Sequence, residues 1–318
     1  LTTLGESSTA GDKSLTATQT DGSGNVGTST AFTLTVDTTA PTAATVAAIG
    51  DTDKTSAEAT NAGGVITVNA ATGDTATVTL TGQSGTVTKP VSGNDSTQVV
   101  ALDSADLTML GDGAVTISTV TTDAAGNAAT ADTTGGFTLD TAAPDALTVA
   151  LTEDTATAAD NISSNGAVTV TGSESGATVE YSTDGGSTWG SSFTASVGGN
   201  NVTVRQTDTA GNTSATTNLI FTLDTSAAAP TVVLATDSGS ASDDLITNDG
   251  SLTVTGETGA TVEYSIDSGT SWGSGFAATE GDNTVQVRQT DVAGNVSDAT
   301  TLTFTLDTTI AAPTVALT

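Results

Sequence analysis

The chain has 318 residues, with 36 acidic against five basic side chains and a formal charge of −31 at pH 7. Such a charge repels nucleic acid and anionic membranes and attracts cations, so metal ions are the first candidate ligands. Because the sequence has no Cys and no His, it excludes disulfides, thiolate or imidazole zinc sites, Cys or His nucleophiles and Ser-His-Asp triads.

The apolar residues predict thin hydrophobic cores. Aromatic residues make up 3 % of the chain, and the 36 % of apolar residues are mainly Val, Leu, Ile and Ala. Small domains with thin cores usually need an additional stabilising element, such as a disulfide, a metal ion or contacts with another domain. Since cysteine is absent, this element would be a metal ion or contacts with neighbouring domains.

Two sequence marks recur and divide the chain. The first, Asp-x-x-Gly-Asn, begins at Asp21, Asp123, Asp208 and Asp291. The second, Asp-Thr ahead of a proline, begins at Asp37, Asp140, Asp224 and Asp307. Consecutive second marks are 103, 84 and 83 residues apart, which is the size of a small all-β domain rather than of a solenoid turn. We number the resulting segments repeats 1 to 5: residues 1–37, 38–140, 141–224, 225–307 and 308–318.

Repeats 1 and 5 are shorter than the others. Repeat 1 corresponds to the C-terminal part of a repeat and repeat 5 to a first strand, so we expect a segment of a longer array. Repeat 2 is a longer variant that carries residues 102–110 before its last two strands. There Asp103 or Ser104 is expected to cap one helical turn, which places Leu107 and Leu110 on the edge of the domain.

Repeats 3 and 4 each contain six segments of alternating apolar and polar residues, bounded by Gly, Asn and Asp. This pattern is typical of half-buried strands. The segments are 148–151, 167–171, 177–183, 189–195, 201–208 and 218–223 in repeat 3, and 231–235, 251–255, 260–266, 272–277, 283–291 and 300–306 in repeat 4. The predicted fold class is all-β, a linear array of tandem immunoglobulin-like β-sandwich domains.

The order of motifs also carries a family resemblance. Thr-Asp-x-Ala-Gly-Asn is followed by a Phe-Thr-Leu-Asp-Thr strand and linker, then by Pro-Thr-Val-x-Leu and an Asp-rich loop that ends in Ile-Thr-Asn-Asp-Gly. This order resembles the bacterial immunoglobulin-like repeats of giant surface adhesins, which are commonly type I-secreted and biofilm-associated. The resemblance covers nearly the whole chain and implies a stalk whose domain junctions hold calcium. Repeat 2 departs from it at residues 51–58, where the acidic loop is shorter.

An independent argument from the residues also leads to metal at the junctions. Strands of an immunoglobulin-like domain alternate in direction, so each junction gathers acidic loops from both neighbouring repeats. Crowded carboxylates repel one another unless a hard cation joins them, and Ca²⁺ accepts about six to eight oxygens. We therefore predict Ca²⁺ as the cofactor. The candidate ligands are Asp37, Asp123, Asn127, Asp140, Glu174, Asp208, Asn212, Asp154, Asp160, Asp224, Glu257, Asp291 and Asn295.

The Asp-x-x-Gly-Asn motif has two interpretations. In the first, its glycine takes a positive φ and turns the loop so that Asp, a backbone carbonyl and Asn face one ion. Asp224, Asp291 and Asn295 would then share one Ca²⁺. In the second, the motif is only a favourable turn and the acids form a solvated face.

Two further motifs in repeats 3 and 4 are interpreted as structural. Residues 182–189 match the Asp-box pattern of sialidase-like propellers, and residues 265–272 are close to it. We expect hairpin turns there, with Trp189 and Trp272 covering the thin cores. Arg205 and Arg288 are expected to form ion pairs with neighbouring acids.

Three classes of function fit these features. We favour a structural stalk of an extracellular adhesin on the bacterial cell surface, whose partners are the neighbouring repeats. The alternative is a subunit of a self-assembling filament or surface layer, in which residues 311–318 complete repeat 1 of the next subunit, head to tail, by strand addition. A carbohydrate-binding module is disfavoured because both Trp residues lie in turns. We expect no enzyme, because the paired carboxylates recur at the junctions without a nonrepeating constellation. Neither nucleic acid nor membrane insertion of this segment is expected.

Overall fold

The computed structural model describes residues 10–48, 52–133 and 135–315. By their contacts they form two compact units. The first ends at Pro144 but also includes Thr207–Thr213, and the second comprises Asp145–Gln206 and the chain from Ser214 onward. The Asp-x-x-Gly-Asn loop of repeat 3 therefore groups with the repeat that precedes it. Across the described ranges, the helices are too short and too polar to cross a membrane.

Repeat 1 forms two antiparallel strand pairs. The strands are β1 (Gly11–Leu15), β2 (Thr18–Thr20), β3 (Val26–Thr28) and β4 (Phe32–Val36). Strand β1 pairs with β4, and β2 pairs with β3 around the Asp21 loop. Phe32 and Leu34 are exposed, whereas Phe137 and Leu139, on the corresponding strand of repeat 2, are buried.

Repeat 2 is a complete sandwich of two sheets. Its elements are β5 (Thr45–Ala48), β6 (Asp53–Lys54), α1 (Ser56–Ala59), β7 (Ile66–Asn69), β8 (Thr75–Thr81), β9 (Thr86–Ser92), β10 (Gln98–Val100), α2 (Ser104–Leu110), β11 (Gly113–Thr122) and β12 (Gly136–Leu139). One sheet has the order β10-β7-β5 and the other β6-β12-β11-β8-β9. Alternate residues of both sheets, such as Val68, Leu80 and Ile117, fill one shared core. This two-sheet arrangement is immunoglobulin-like, as predicted. Residue 51, part of the shorter acidic loop, lies outside the described residues.

The helical turn predicted for residues 102–110 is confirmed. The Asp103 carboxylate accepts hydrogen bonds from the N–H groups of Ala105 and Asp106, both at 2.9 Å, and caps α2. Leu107 and Leu110 are buried in the core. A side-chain acceptor satisfies N–H groups that the first helical turn would otherwise leave unpaired, so the turn forms at this position.

Repeats 3 and 4 repeat one smaller sandwich. Their strands are β13 (Thr148–Leu151), β14 (Ile162–Ser163), β15 (Val168–Thr171), β16 (Thr178–Ser182), β17 (Gly198–Thr207), β18 (Thr217–Leu223), β19 (Thr231–Leu234), β20 (Ile246–Thr247), β21 (Leu252–Thr255), β22 (Thr261–Ser265), β23 (Gly281–Thr290) and β24 (Thr300–Leu306). The sheets are β13-β15 with β14-β18-β17-β16, and β19-β21 with β20-β24-β23-β22. Inward-facing Val, Leu and Phe residues form a core in each repeat.

The predicted strands at 189–195 and 272–277 are wrong. Only Gly190 and Gly273 pair there, as single bridges to Tyr181 and Tyr264. The preceding Ser-rich turns use their own hydroxyl and carboxylate groups as hydrogen-bond partners, which competes with a ladder. The sequence reading also missed β14 and β20, because two residues are too few to show alternation.

The predicted first strand of repeat 5 is not formed within the part that is described. Residues 308–315 have no strand, and residues 316–318 lie outside the described ranges. In repeats 2 to 4 the first strand pairs with a later strand of its own repeat, as β19 does with β21. Residues 308–315 have no such partner in the described part of the chain.

Candidate functional site

The Asp-x-x-Gly-Asn loop of repeat 4 is a closed turn. The N–H of Asp291 donates to the carbonyl of Asn295 at 3.0 Å, and the Asn295 N–H donates to Asp291 Oδ1 at 2.8 Å. Gly294 has a φ of 88°. This left-handed conformation is open to glycine at little cost, so the predicted positive φ is confirmed. Gly126 and Gly211 occupy the same place with φ values of 94° and 103°.

The Asn side chain of the loop connects two groups in each of repeats 2, 3 and 4. Asn295 Nδ2 donates to Asp291 Oδ2 and to the main-chain carbonyl of Asp224, both at 2.8 Å. We call this arrangement the asparagine bridge: one amide that joins the Asp carboxylate of its own loop to the carbonyl of the linker Asp. Two further bridges lie in the first unit. Asn127 joins Asp123 to Asp37 (2.9 and 3.2 Å), and Asn212 joins Asp208 to Asp140 (both 3.0 Å).

The linker Asp is also bonded to the repeat that it leaves. The Asp224 N–H donates to the Ser163 carbonyl at 3.0 Å, where β14 runs parallel to β18. Its Oδ1 accepts from the Ser226 N–H at 3.2 Å, which starts the linker with a tight turn. Asp140 likewise donates its N–H to the Lys54 carbonyl at 3.0 Å. The linker Asp therefore makes main-chain hydrogen bonds through both its N–H and its carbonyl.

A second clamp holds the linker further along. Gln289 is fully buried, and its Nε2 donates to the Ala228 carbonyl at 2.7 Å while its Oε1 accepts from the Glu257 N–H at 2.9 Å. Glu257 Oε1 accepts from the Ala228 N–H at 3.0 Å. Gln206 and Glu174 hold Asp145 in the same way in repeat 3. Neither glutamine was predicted from the sequence. Their place in the alternation, two residues after buried Val204 and Val287, was the signal that they face inward.

The loop after β13 also reaches the motif of repeat 4. The Thr155 hydroxyl donates a hydrogen bond to the Ala293 carbonyl, within the Asp-x-x-Gly-Asn loop. The non-glycine residues Ala156, Ala159 and Asn161 all have positive φ, so the loop is tightly curled. This contact lies beside the asparagine bridge and adds a second attachment at the same junction.

Two carboxylate oxygens, one in the loop after β13 and one in the loop after β19, have no hydrogen-bond partner. Asp154 Oδ2 accepts from the Ala159 N–H at 2.6 Å, but Asp154 Oδ1 is buried without a hydrogen bond. Asp237 Oδ1, at the corresponding position of repeat 4, is in the same state. A buried carboxylate oxygen without a donor is costly, and a cation would relieve that cost.

The structure brings some of the predicted metal ligands together and separates others. Asp224, Asp291 and Asn295 meet through the asparagine bridge, as Asp140, Asp208 and Asn212 do. Asp37, Asp123 and Asn127 meet in the same way. The other acids bind local main chain: Asp154 Oδ2 accepts from the Ala159 N–H, Asp160 Oδ1 accepts from the Ile162 N–H, and Glu174 and Glu257 hold the linkers. Within the described ranges, no three carboxylates gather in a group able to hold a metal ion. Calcium binding by these residues stays a prediction.

Hydrogen bonds favour the ionised form of the loop carboxylates. The side-chain amide of Asn127 holds the pKa of Asp123 below its usual value of 3.8. Burial raises the pKa of Asp208, but the hydrogen bonds from Asn212, Gly211 and Ala210 together outweigh burial, so the net pKa is lowered. Asp123 and Asp208 therefore stay charged at neutral pH, which keeps each of them an acceptor for its Asn.

The Asp-box segments are structural turns, as interpreted from the sequence. Asp184 Oδ2 accepts from the Thr188 hydroxyl at 2.6 Å, and Trp189 Nε1 donates to the Gly186 carbonyl at 3.0 Å. The Trp189 ring, however, lies 4.0 Å from the Arg205 guanidinium and is not part of the core cluster. In this position the Arg205 guanidinium makes a cation–π contact with the ring and still remains accessible to water. Arg205 pairs with Glu180 at 2.8 Å, so the predicted ion pair is confirmed.

Repeat 4 builds the same assembly from the corresponding residues. Arg288 pairs with Glu263 at 2.9 Å and lies 4.1 Å from the Trp272 ring. The Asp267 carboxylate accepts from Ser271 as Asp184 does from Thr188. The turn, its tryptophan and its Arg-Glu pair therefore recur as one structural unit.

The hydrogen bonds of the Asp184 and Asp267 turns should make the stability of repeats 3 and 4 depend on pH. The Thr188 side chain is the largest cause that lowers the pKa of Asp184 to about 2, and Ser271 does the same for Asp267. A lowered pKa stabilises the fold above the unfolded value of 3.8, and this stabilisation is lost as pH falls through about 2. We expect the double variant Asp184→Asn, Asp267→Asn to be less stable at pH 7. Its stability should also decline less steeply than that of the wild type between pH 3.8 and about pH 2. Urea unfolding across that range measures it. Asp243→Asn, at an exposed site, should keep the wild-type slope, and an unchanged slope in the double variant would contradict the role of the turns.

Comparisons with known proteins add little to this description. No family model matches the chain, and no curated protein does. One similar solved structure comes from work on host cell-surface retention of a 1.5-MDa bacterial ice-binding adhesin, with 23 % identity, a TM-score of 0.33 and coverage of 84 % of this chain and 98 % of that one. Another is of fibronectin(III)-like modules of Clostridium thermocellum CbhA, with 13 % identity, a TM-score of 0.30 and coverage of 57 % and 94 %. TM-scores of this size do not define a shared fold, so the fold assignment rests on the strand pairing above.

Proposed function

We propose that the chain is a structural stalk segment of an extracellular adhesin on the bacterial cell surface. The observation that carries the proposal is the recurrence of one bonded joint. At Asp37, Asp140 and Asp224 the linker carbonyl accepts a hydrogen bond from the Asn of the next Asp-x-x-Gly-Asn loop. A binding module concentrates its chemistry at one site, whereas an element that sets length repeats the same joint between small domains.

The sequence resemblance and the charge support the same function. The motif order resembles the repeats of giant surface adhesins, in which such domains form stalks. A formal charge of −31 keeps a long exposed chain soluble and discourages contact between stalks. Small cores suit domains that add length, because each repeat needs only enough burial to stay folded.

We further propose that Ca²⁺ binds the curled loops that contain Asp154 and Asp237. The buried Oδ1 of each residue receives no hydrogen bond, and such an oxygen is a suitable ligand for a hard cation. Asp160 belongs to the same loop as Asp154 and supplies a second carboxylate. With few acids, each site would complete its shell with main-chain carbonyls and water, which fits the weak affinity, about 10⁻⁴ to 10⁻³ M, of extracellular calcium modules.

Calcium at the Asp154 loop would stiffen the junction through the second attachment. The loop carries Thr155, whose hydroxyl reaches the Ala293 carbonyl. The asparagine bridge restrains the linker, and this second attachment adds a restraint between the two domains at a point away from the linker. An ion that holds the curled loop in shape therefore restricts the junction, even though the asparagine bridge itself contains no ion.

Small-angle scattering of the full chain tests the stalk. We expect an extended particle in chelator, and a larger maximum dimension with a narrower shape distribution in about 10 mM Ca²⁺, well above the dissociation constants of such modules. If the dissociation constant is about 1 mM, the same calcium should stabilise the fold by about 1.4 kcal/mol. The double variant Asp154→Asn, Asp237→Asn should lose both calcium effects, whereas Asp298→Asn should keep them.

Each contrary outcome identifies the part that fails. A compact particle in both conditions would contradict the stalk. Equal dimensions and equal melting temperatures with and without calcium would remove the calcium proposal and leave the stalk intact. Long fibres formed by the pure chain would favour the alternative, a strand-exchanged filament.

A further inference from the structure

We infer that the asparagine bridge locks repeat 4 to repeat 3 without a metal ion, and that Asn295 is the residue on which this lock depends. The inference concerns the hydrogen bonds of Asp224, Asp291 and Asn295, all within the second compact unit. It goes beyond the proposed function, because it holds whether or not the chain serves as a stalk.

The lock works because both neighbours bond to the same residue. The Asp224 N–H donates to Ser163 of repeat 3, and the Asp224 carbonyl accepts from Asn295 of repeat 4. Between these two bonds the main chain has only the φ and ψ angles of Asp224. A linker normally gains its freedom from several unrestrained residues between its last and first attachments. Here that span is reduced to one residue.

Asn has the donors that this position needs. Its amide carries two N–H donors, one for the Asp291 carboxylate and one for the Asp224 carbonyl. Asp291 is 6 % exposed, so water has little access to the carboxylate that orients the amide. Hydrogen bonds to an ionised acceptor are stronger than those between neutral groups. An Asp at position 295 would offer only acceptors at neutral pH and would face two other acceptors.

The second clamp extends the lock along the linker. Four residues after Asp224, the Ala228 N–H and carbonyl are bonded to Glu257 and Gln289 of repeat 4. The linker therefore belongs to repeat 4. Movement at Asp224 breaks either the asparagine bridge or the strand pairing at Ser163, and it also strains the Thr155–Ala293 hydrogen bond between the same two repeats. The same bridge at Asn127 and Asn212 shows that the arrangement is not peculiar to one linker.

Spin labels on either side of the junction test the lock. The chain has no cysteine, so Thr216→Cys in repeat 3 and Thr301→Cys in repeat 4, both at exposed positions, give one labelled pair. In the full chain with chelator, we expect a narrow distance distribution by pulsed electron resonance. Asn295→Ala should widen that distribution at least twofold, because the linker carbonyl loses its donor while no metal is present.

Asn25→Ala is the matched control. Asn25 occupies the same loop position in repeat 1, and in the described residues its amide donates to Asp21 Oδ2. Its removal should leave the measured distances unchanged. Circular dichroism and Trp272 fluorescence show whether repeat 4 stays folded; if Asn295→Ala unfolds it, Asn295→Ser replaces that variant. An unchanged width in a folded Asn295 variant would overturn the inference, and so would a wild-type distribution that becomes narrow only when calcium is added.

Discussion

Phe304→Ala is expected to unfold repeat 4 at temperatures at which the rest of the chain stays folded. Phe304 is 2 % exposed and packs edge-to-face on Phe276, with ring centroids 6.2 Å apart. Truncation of a buried Phe costs about 3–5 kcal/mol. A domain of this size has a total stability at the lower end of about 5–15 kcal/mol, so the loss removes most of it.

The two tryptophans allow this unfolding to be followed by repeat. In a Trp189→Phe background, Trp272 alone reports on repeat 4. Its thermal transition should shift down sharply in Phe304→Ala and stay in place in Ile266→Ala, which changes a 74 % exposed side chain of the same repeat. If Phe304→Ala lowers all transitions of the chain together, the repeats do not fold as separate cores.

Gln289→Leu should destabilise repeat 4 although the residue keeps a similar size and becomes more apolar. The change leaves the Glu257 N–H and the Ala228 carbonyl without their partner. Each buried polar group left unpaired costs about 1–3 kcal/mol, and the gain in apolar burial does not offset two of them. Urea unfolding followed by Trp272 in the Trp189→Phe background measures the loss.

The equivalent change in repeat 3 serves as its control. Gln206→Leu should destabilise repeat 3, read by Trp189 in a Trp272→Phe background, and should leave the Trp272 transition of repeat 4 in place. A stabilised Gln289→Leu would show that the buried amide is tolerated rather than needed. Loss of stability in both repeats from either single change would show that the two cores are coupled.

Several elements of the fold were predictable because the sequence within each element is enough to determine it. Strands β13 and β24 match their predicted ranges, since alternation of apolar and polar residues is uninterrupted over each. The α2 helix was predictable for a similar reason: a capping carboxylate and two apolar residues at helical spacing lie within eight residues of each other. The segments at 189–195 and 272–277 also alternate, but side-chain hydrogen bonds of the preceding turn took over from strand pairing.

The junction was predictable in its residues and not in its bonds. Topology alone indicated that Asp224, Asp291 and Asn295 meet, and they do. The direction of the Asn295 amide could not be read from the sequence, because an Asn side chain offers both an oxygen and two N–H donors. The orientation of the Asn295 amide depends on the Asp224 carbonyl, which is 71 residues away in the sequence. The unpaired oxygen of Asp154 could not be read from the sequence either, because it depends on the curled conformation of the loop around it.

The linker clamps all come from one side, and this has an evolutionary consequence. Glu257, Gln289 and Asn295, which hold the linker between repeats 3 and 4, all belong to repeat 4. A gene segment that encodes a linker and the repeat after it therefore carries nearly all of the parts of its own joint. The repeat before contributes the Ser163 main-chain carbonyl, which a residue of any type would provide, and the Thr155 hydroxyl. Whole segments can thus be duplicated, removed or exchanged without new joints having to arise, so array length can change by recombination alone.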